Sequence, residues 1–436
     1  MPMLFYRDIP VAEVTPTPTG PVLTYEEAWR ASRDAFPVSL SMPRSQATWP
    51  PEKVLPWLMN LLPEGEPMRA MQRALGVAQE DVLGLISASG GDLAGALRIG
   101  GRRTEHGDYR LVPDPEALER IIGQLPRKPF LVGEEGVTMS LAGAQDKLPV
   151  GLLNGQIAVP MNGAPSTHIL KPDNPRLPGS VQNEALCMVL AARCRLSAAP
   201  VTTGRAGDRA YLLVQRYDRE GHAPTATRWH QEDFCQALGV PPGSKYERNQ
   251  TGVQGPSLAN MFGVVRQHMT AVDITRLLDA VIFNIAIGNV DSHAKNYSIL
   301  FTASSLALAP LYDLMSGLPW AGITQNHAQA IGGQVRGRHI QARHWRRMAQ
   351  ACGLAPAATV RRVIGLTERI QRELGEAAAT VAAMPAGGGL FLDGLVQDIS
   401  ERAALVGRNA VRDDGFAGED EEPVARGEAF PSSSSP

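Results

Sequence analysis

The chain has few cysteines, and none are spaced for chemistry. Cys187, Cys194, Cys235 and Cys352 stand singly along 436 residues, with no CxxC pair. That argues against a zinc site and against a disulfide framework, and leaves reduced, buried thiols in a cytoplasmic protein as the expectation. Long apolar runs are lacking too: residues 277–290 come closest, and Asp279, Asn284 and Asn289 interrupt them, so no stretch approaches the roughly 18 residues of a membrane span. The start, MPMLFYRDIP, puts Arg7 and Asp8 where a signal peptide needs its apolar centre. Neither sign of charge dominates. A net charge of −2 excludes a polycation that coats nucleic acid or membrane along its whole surface. No internal repeat is visible.

What remains is a composition of 44% hydrophobic and 20% charged residues, that of a soluble globular protein. At this length a single core is exceeded, so two or three lobes are expected. Residues 1–125 read as an N-terminal α/β part. LFYRDIPVAEVTPTPTGPVLTY has strand-turn-strand character, and Val54, Leu58, Leu61 and Leu62 show helical spacing. Residues 126–228 are strand-rich, with a hairpin turn at Asn154-Gly155, a strand THILKP, a helix QNEALCMVLAARCRL and a strand RAYLLVQRYDR. Residues 229–412 look helical almost throughout. The end, 413–436, is acidic and then Ser-rich, too poor in apolar surface to offset its ordering entropy, and reads as a disordered tail. The fold class expected is α+β: a two-lobed, kinase-like arrangement with a mixed α/β N-terminal lobe and an all-α C-terminal lobe.

The chemistry concentrates in NVDSHAKNYSIL, directly after the apolar run. Asp291 and Asn296 have the D-x-x-x-x-N spacing of a kinase catalytic loop. Phosphoryl transfer needs a carboxylate to take the acceptor proton and a neutral oxygen ligand for magnesium nearby. The same spacing also arises by chance, and a loop Asp is often a turn former. Asp313, in LAPLYDLMSG, follows a strand-like segment, where kinases keep a second metal-binding Asp; a cap or turn Asp is the plainer alternative. Lys171 ends the strand THILK, with Glu184 on the next helix placed to pair with it; a surface lysine is the plainer alternative there. SLAGAQDK, Ser140 to Lys147, offers small residues whose N–H groups can approach phosphate oxygens. QRYD, Gln215 to Asp218, stands where a hinge would bind adenine, with Asp218 near the ribose. The order of these parts is that of a kinase chain.

Together SLAGAQDK, THILKP, NEALCMVLA, VQRYDR, QEDFCQALG, SKYE, DSHAKNYSIL and LAPLYDLMS resemble the HipA-type serine/threonine kinases, the toxins of bacterial toxin–antitoxin modules. FPVSLSMP, LMNLLPEG and GGDLAGAL extend the resemblance to residues 1–350. Departures are Ser292, where glycine is common, and Pro172-Asp173 after the lysine. The resemblance implies ATP and Mg2+ as cofactors, Asp291 as catalytic base, and Asn296 and Asp313 as metal ligands. It implies Lys171 on the ATP phosphates, with His293 close to them, and Ala142, Gly143, Ala144, Gln145 and Lys147 as the phosphate loop. Adenine would lie on the backbone of Gln215 and Tyr217. Ser140 resembles a serine that is autophosphorylated to shut the kinase off. The implied protein substrate is an aminoacyl-tRNA synthetase, glutamyl-tRNA synthetase first. The implied partner is a helix-turn-helix antitoxin that carries the kinase to operator DNA. No membrane is implied. Two rivals stay open: a small-molecule phosphotransferase, which would want an acidic pocket, and a catalytically silent scaffold. The basic run 336–347 reads either as a contact to operator phosphates or as a solvated helix face.

Overall fold

The computed structural model describes residues 2–78, 80–100, 108–302 and 305–413. The expected disordered tail therefore lies almost wholly outside the described residues. Three apolar cores organise the chain.

The first core sits under a five-stranded antiparallel sheet, in the order Thr48–Trp49, Gly20–Tyr25, Ile9–Thr17, Met3–Tyr6, Leu97–Ile99. Helices Pro51–Met59, Gly65–Leu75 and Val82–Ser89 cover it, and Leu4, Val14, Trp29, Trp57 and Leu62 fill it. Pro51 opens the first of these helices at a position where its missing N–H does no harm. Val54, Leu58, Leu61 and Leu62 are all buried, but the helix stops at Met59. Asn60 ends it, its Nδ2 donating back to Pro56 O (2.8 Å) and across to Val240 O (2.9 Å). Leu61 and Leu62 thus reach the core from a turn.

The second core lies under a six-stranded antiparallel sheet, ordered Val201–Ala206, Arg209–Gln215, His168–Pro172, Leu148–Leu153, Gln156–Met161, Asp108–Leu111. Its tight hairpin is at Asn154 (φ 51°) and Gly155 (φ 83°), the left-handed pair that matches strand twist. The strand His168–Pro172 is interior, and Lys171 near its end lies opposite Leu212 on one neighbour.

The third and largest core runs from the helix Ser180–Arg193 through Leu258–His268, Ala271–Ala286, Ala342–Ala351, Pro356–Ala382 and Leu390–Asn409. This lobe is not helix alone, which corrects the all-α expectation. It also holds a three-stranded sheet, His230–Asp233, Ser298–Phe301, Leu306–Leu308, and a hairpin, Asn326–Ile331 with Gln334–Arg336. Strands of three to six residues carry too few alternations for a period of two to stand out. Only the end of the basic run lies on the helix Ala342–Ala351, which buries Trp345 and Met348 and exposes Arg346 and Arg347; Arg346 pairs there with Asp413, and Arg347 Nη1 donates to Gly332 O (2.9 Å). Among the described residues no helix is long and apolar enough to cross a membrane.

The N-terminal region docks on the rest through buried polar contacts. Glu232 accepts from Ser39 Oγ (2.6 Å) and Leu40 N (2.9 Å). Asp92, with almost no solvent access, accepts from Arg219, Arg228 and Arg216.

Candidate active site

The helix Ala271–Ala286 is buried along its second half, and Gly288 (φ 70°) turns the chain out of it into Asn289–Asn296. The asparagines that interrupt the apolar run brace this loop. Asn284 Nδ2 donates to Tyr297 Oη, Asn289 Nδ2 to Asn284 Oδ1, and Asp291 N to Asn289 Oδ1 (2.9, 2.9 and 3.2 Å). Asn296 Nδ2 closes the turn on Asp291 O (2.8 Å). Polar groups inside a core are stable only when paired, and here the pairing fixes a loop.

Asp291, His293, Asn296, Asp313, Lys171, Glu184 and Gln215 line one cavity between the second sheet and the helical lobe. Tyr217, Asp218 and the segment Ala142, Gly143, Ala144, Gln145, Lys147 line it as well. Lys171 Nζ lies 2.6 Å from Glu184 Oε1 and also contacts Asp313 Oδ1. Burial works against the Lys171 charge, but the two carboxylates outweigh it and hold the pKa above its ordinary value. Burial likewise opposes the Asp313 charge, and Lys171 and Lys147 outweigh it, so Asp313 stays ionised. Asp313 sits at φ 52°, uncommon for any residue but glycine. Its neighbour Tyr312 anchors that geometry, donating from Oη to Lys295 O (2.6 Å) with Ser298 Oγ at 2.7 Å.

The segment Ala142–Lys147, expected to be the phosphate loop, is glycine-dependent at one point. Gly143 has φ 102°, and a Cβ there would stand 2.8 Å from Lys147 Nζ. Lys147 donates to Ala142 O (2.5 Å), and burial pulls its pKa down to about 8. His293 is buried, and burial with Lys245 and Lys295 holds it well below its ordinary pKa, so the ring is neutral. Its Nδ1 makes no hydrogen bond among the described residues.

One expectation changes. Asp218 borders the cavity, but its carboxylate takes Arg216 (2.8 Å), Arg219 (2.8 Å) and Gly95 N (2.8 Å). Burial opposes that charge and the arginines outweigh it. Asp218 is a structural counter-ion, and its assignment to a ribose is withdrawn. Ser140 is fully buried outside the cavity lining; its N donates to Asp92 O (3.1 Å) and its Oγ to Leu61 O (3.3 Å). At the hinge, Tyr217 turns its ring inward, stacked 5.6 Å from Tyr312, and Gln215 N is bonded to Pro200 O (2.9 Å).

Sequence reasoning missed Asn60, Glu64, Asp233 and Lys245 and gave Lys295 no role. Lys295 Nζ meets Asn60 Oδ1 (2.6 Å) and Asp233 Oδ2 (3.0 Å), and Lys245 Nζ meets Glu64 Oε2 (2.8 Å). The acidic groups added here, Glu64 and Asp233, are thus paired with lysines and do not form the open acidic pocket a cationic small molecule would want. No signal of local spacing could have joined Asn60 and Glu64 to segments about two hundred residues away.

Among the described residues no cluster of three or more His, Cys, Asp or Glu is built to hold a metal. Magnesium in a phosphotransferase needs less: one or two protein oxygens, the remainder being water and phosphate. Asp313 offers a carboxylate. Asn296, with Nδ2 turned to Asp291 O, offers its amide oxygen. That hard-oxygen pair fits the ion.

The family model of the HipA-like C-terminal domain matches residues 139–378, and that of the HipA N-terminal domain matches residues 3–100. The chain belongs to the HipA family. It is 38% identical over 354 residues to Y4mE of Sinorhizobium fredii (strain NBRC 101917 / NGR234), named a candidate kinase, covering 79% of this chain and 83% of that protein. It is 29% identical over 365 residues to the serine/threonine-protein kinase toxin HipA of Shewanella oneidensis, covering 81% and 83%. The fold matches Shewanella oneidensis MR-1 HipA, solved with HipB and its operator DNA, at a TM-score of 0.82 and 26% identity over 92% of this chain and 96% of that one. This HipA-type protein is a serine/threonine-protein kinase of two-lobed α+β fold.

Lys171 yields a direct test. In Lys171→Ala, ATP affinity is expected to fall on the order of tenfold, ~1.4 kcal/mol, because a cation felt by bound phosphates acts in the ground state. Titration with a fluorescent ATP analogue reads this. Loss of thermal stability with affinity intact would make Lys171 structural.

Proposed function

We propose that this HipA kinase transfers the γ-phosphate of ATP to a serine or threonine of a protein whose modification halts growth. The observation that carries the reading is the convergence on one cavity of the Lys171–Glu184–Asp313 ion group and the Asp291–Asn296 loop. Asp291 accepts the proton of the attacking hydroxyl. Lys171 and Lys147 hold the phosphates, with Gly143 letting the loop backbone approach them. Adenine rests on the Gln215–Tyr217 backbone. The neutral His293 stands beside the phosphates as a hydrogen-bond donor that leaves their charge to the lysines. Asp313 and Asn296 would hold Mg2+, which when bound neutralises charge building on the transferred group.

The substrate class proposed is an aminoacyl-tRNA synthetase, glutamyl-tRNA synthetase first, whose loss leaves tRNA uncharged. The proposed partner is a HipB-like helix-turn-helix antitoxin through which the kinase meets operator DNA; the Shewanella oneidensis relative is solved with HipB and its operator DNA. The site of action is the cytoplasm. Phosphoproteomics after expressing the chain beside a form lacking the Asp291 carboxylate, with labelled ATP followed in vitro, tests the kinase and substrate readings. Sites gained only with the intact chain, a synthetase among them, are expected. Label that goes to a small cationic molecule, or to nothing, overturns the protein-kinase reading in favour of a small-molecule phosphotransferase or a silent scaffold.

Ser140 is proposed as the autoregulatory site. A phosphoserine brings about −1.5 to −2 charge, and the pocket around Ser140 is closed and backbone-lined. The modified segment must leave it, drawing Ala142–Lys147 away from the nucleotide. Ser140→Asp is expected to abolish ATP binding, and an inactive tagged chain mixed with an active one is expected to take label on Ser140. Normal ATP affinity in Ser140→Asp would refute the switch.

A further inference from the structure

The segment Ser244–Glu247, SKYE, has no part in the mechanism above, yet it touches the proposed base. Tyr246 Oη donates to Asp291 Oδ1. Its ring meets His293 edge-on, at 5.1 Å between centroids and 86° between planes. Lys245 Nζ stands 5.7 Å over the same ring and 2.8 Å from Glu64 Oε2 of the N-terminal region. Glu64 N in turn donates to Gly143 O of the phosphate loop (3.1 Å).

This turn is held on every side. Ala294 N, inside the catalytic loop, donates to Lys245 O (3.2 Å), and Glu247 N donates to Ala328 O (3.0 Å). Glu247 Oε2 accepts from Ala330 N (2.7 Å), and Asn249 Nδ2 donates to Tyr246 O (3.0 Å). Gly255 packs so close that a Cβ there would lie 1.8 Å from Tyr246 O and 2.5 Å from Ser244 O. A hydroxyl carried on so fixed a backbone fixes what it bonds. Catalytic groups must be held within about half an ångström of their working geometry, and a hydroxyl bonded to a carboxylate narrows its rotation about the side-chain bonds.

We propose that Tyr246 is a positioning residue for Asp291, and that Glu64, through Lys245, ties the setting of that carboxylate to the N-terminal region. The role rests on the reading of Asp291 as the base. Tyr246 touches no reacting atom: it sets the carboxylate's rotation, and the Glu64–Lys245 pair sets the turn that carries it. The N-terminal region thus contributes to the rate and does not merely dock.

The test uses the full chain and labelled ATP. Turnover is counted as label on protein plus labelled inorganic phosphate, so no acceptor need be known. Tyr246→Phe keeps the ring and loses the hydroxyl. Its turnover is expected to fall about tenfold, with affinity for a fluorescent ATP analogue unchanged and the melting midpoint retained. Glu64→Gln is expected to slow turnover as well, and the double variant to lose little more than the slower single one, because both act along one path. A Tyr246→Phe rate equal to the parent's overturns the positioning role, as does a parallel loss of nucleotide affinity. Losses that multiply in the double variant overturn the link through Glu64. Asp291→Ala in the same assay separates the two readings: if it turns over normally, the base assignment has failed; if it is inactive while Tyr246→Phe is normal, only the positioning role has.

Discussion

Asp291→Ala is expected to slow phosphoryl transfer by roughly 10²–10⁴-fold, the range that a positioned general base supplies. The loop should keep its shape, because Asn289 holds the Asp291 N–H and Asn296 holds its carbonyl whatever the side chain. ATP affinity should change little, since the lysines and the phosphate loop are untouched. Single-turnover transfer of labelled γ-phosphate, set against nucleotide affinity, separates the two quantities. Asp291→Asn is a useful companion: it keeps an acceptor for Tyr246 Oη but cannot take a proton. A loss below about tenfold in both variants would show that the base has been misassigned.

The second large effect concerns stability. Asp92 accepts from Arg219 Nη2 (2.9 Å), Arg228 Nη2 (2.9 Å), Arg216 Nη1 (3.4 Å) and Ser166 Oγ (2.5 Å) while 1% exposed. Its backbone also joins Thr138 and Ser140 to the N-terminal region. Asp92→Asn leaves Arg216 and Arg219 to share Asp218 and takes from Arg228 the carboxylate it pairs with. The expected loss is about 3–5 kcal/mol, the range for breaking a buried pair from one side, read as a lower urea midpoint. Glu66→Ala, which removes the half-buried partner of the exposed Arg69, serves as the control and is expected to stay within about 1 kcal/mol. The pH dependence has a definite sign. Burial opposes the Asp92 charge, Arg219, Arg228 and Arg216 outweigh it, and the folded-state pKa lies far below the ordinary 3.8. Its contribution is therefore complete above that ordinary value and is lost as the pH falls below it. Asp92→Asn should flatten this acid limb of the stability profile. If the variant unfolds at the parent's midpoint, the arginine cluster is not what joins the N-terminal region to the hinge.

The sequence by itself determined what is local. Asn154-Gly155 names its hairpin because two left-handed residues in succession suit few side chains. The order of strand lysine, helix glutamate, D-x-x-x-x-N and second aspartate is legible because each part is a short spacing on one element. The asparagines within 277–290 could be seen as exceptions to an apolar run, though not as braces, since their partners appear only when the loop folds back. Tertiary structure decided the remainder. Asp218 stands in a motif that invites a ribose, but two arginines and Gly95, 123 residues away, claim its carboxylate. Lys295 finds Asn60 across 235 residues and Lys245 finds Glu64 across 181. The short strands of the helical lobe exist because neighbouring segments pair with them, not because their own pattern demands it. The physical reason is common to these cases. Periodicity and propensity act between neighbours in the chain, whereas a buried charge is stable only beside its counter-charge, and which segment supplies that counter-charge is settled when the lobes pack.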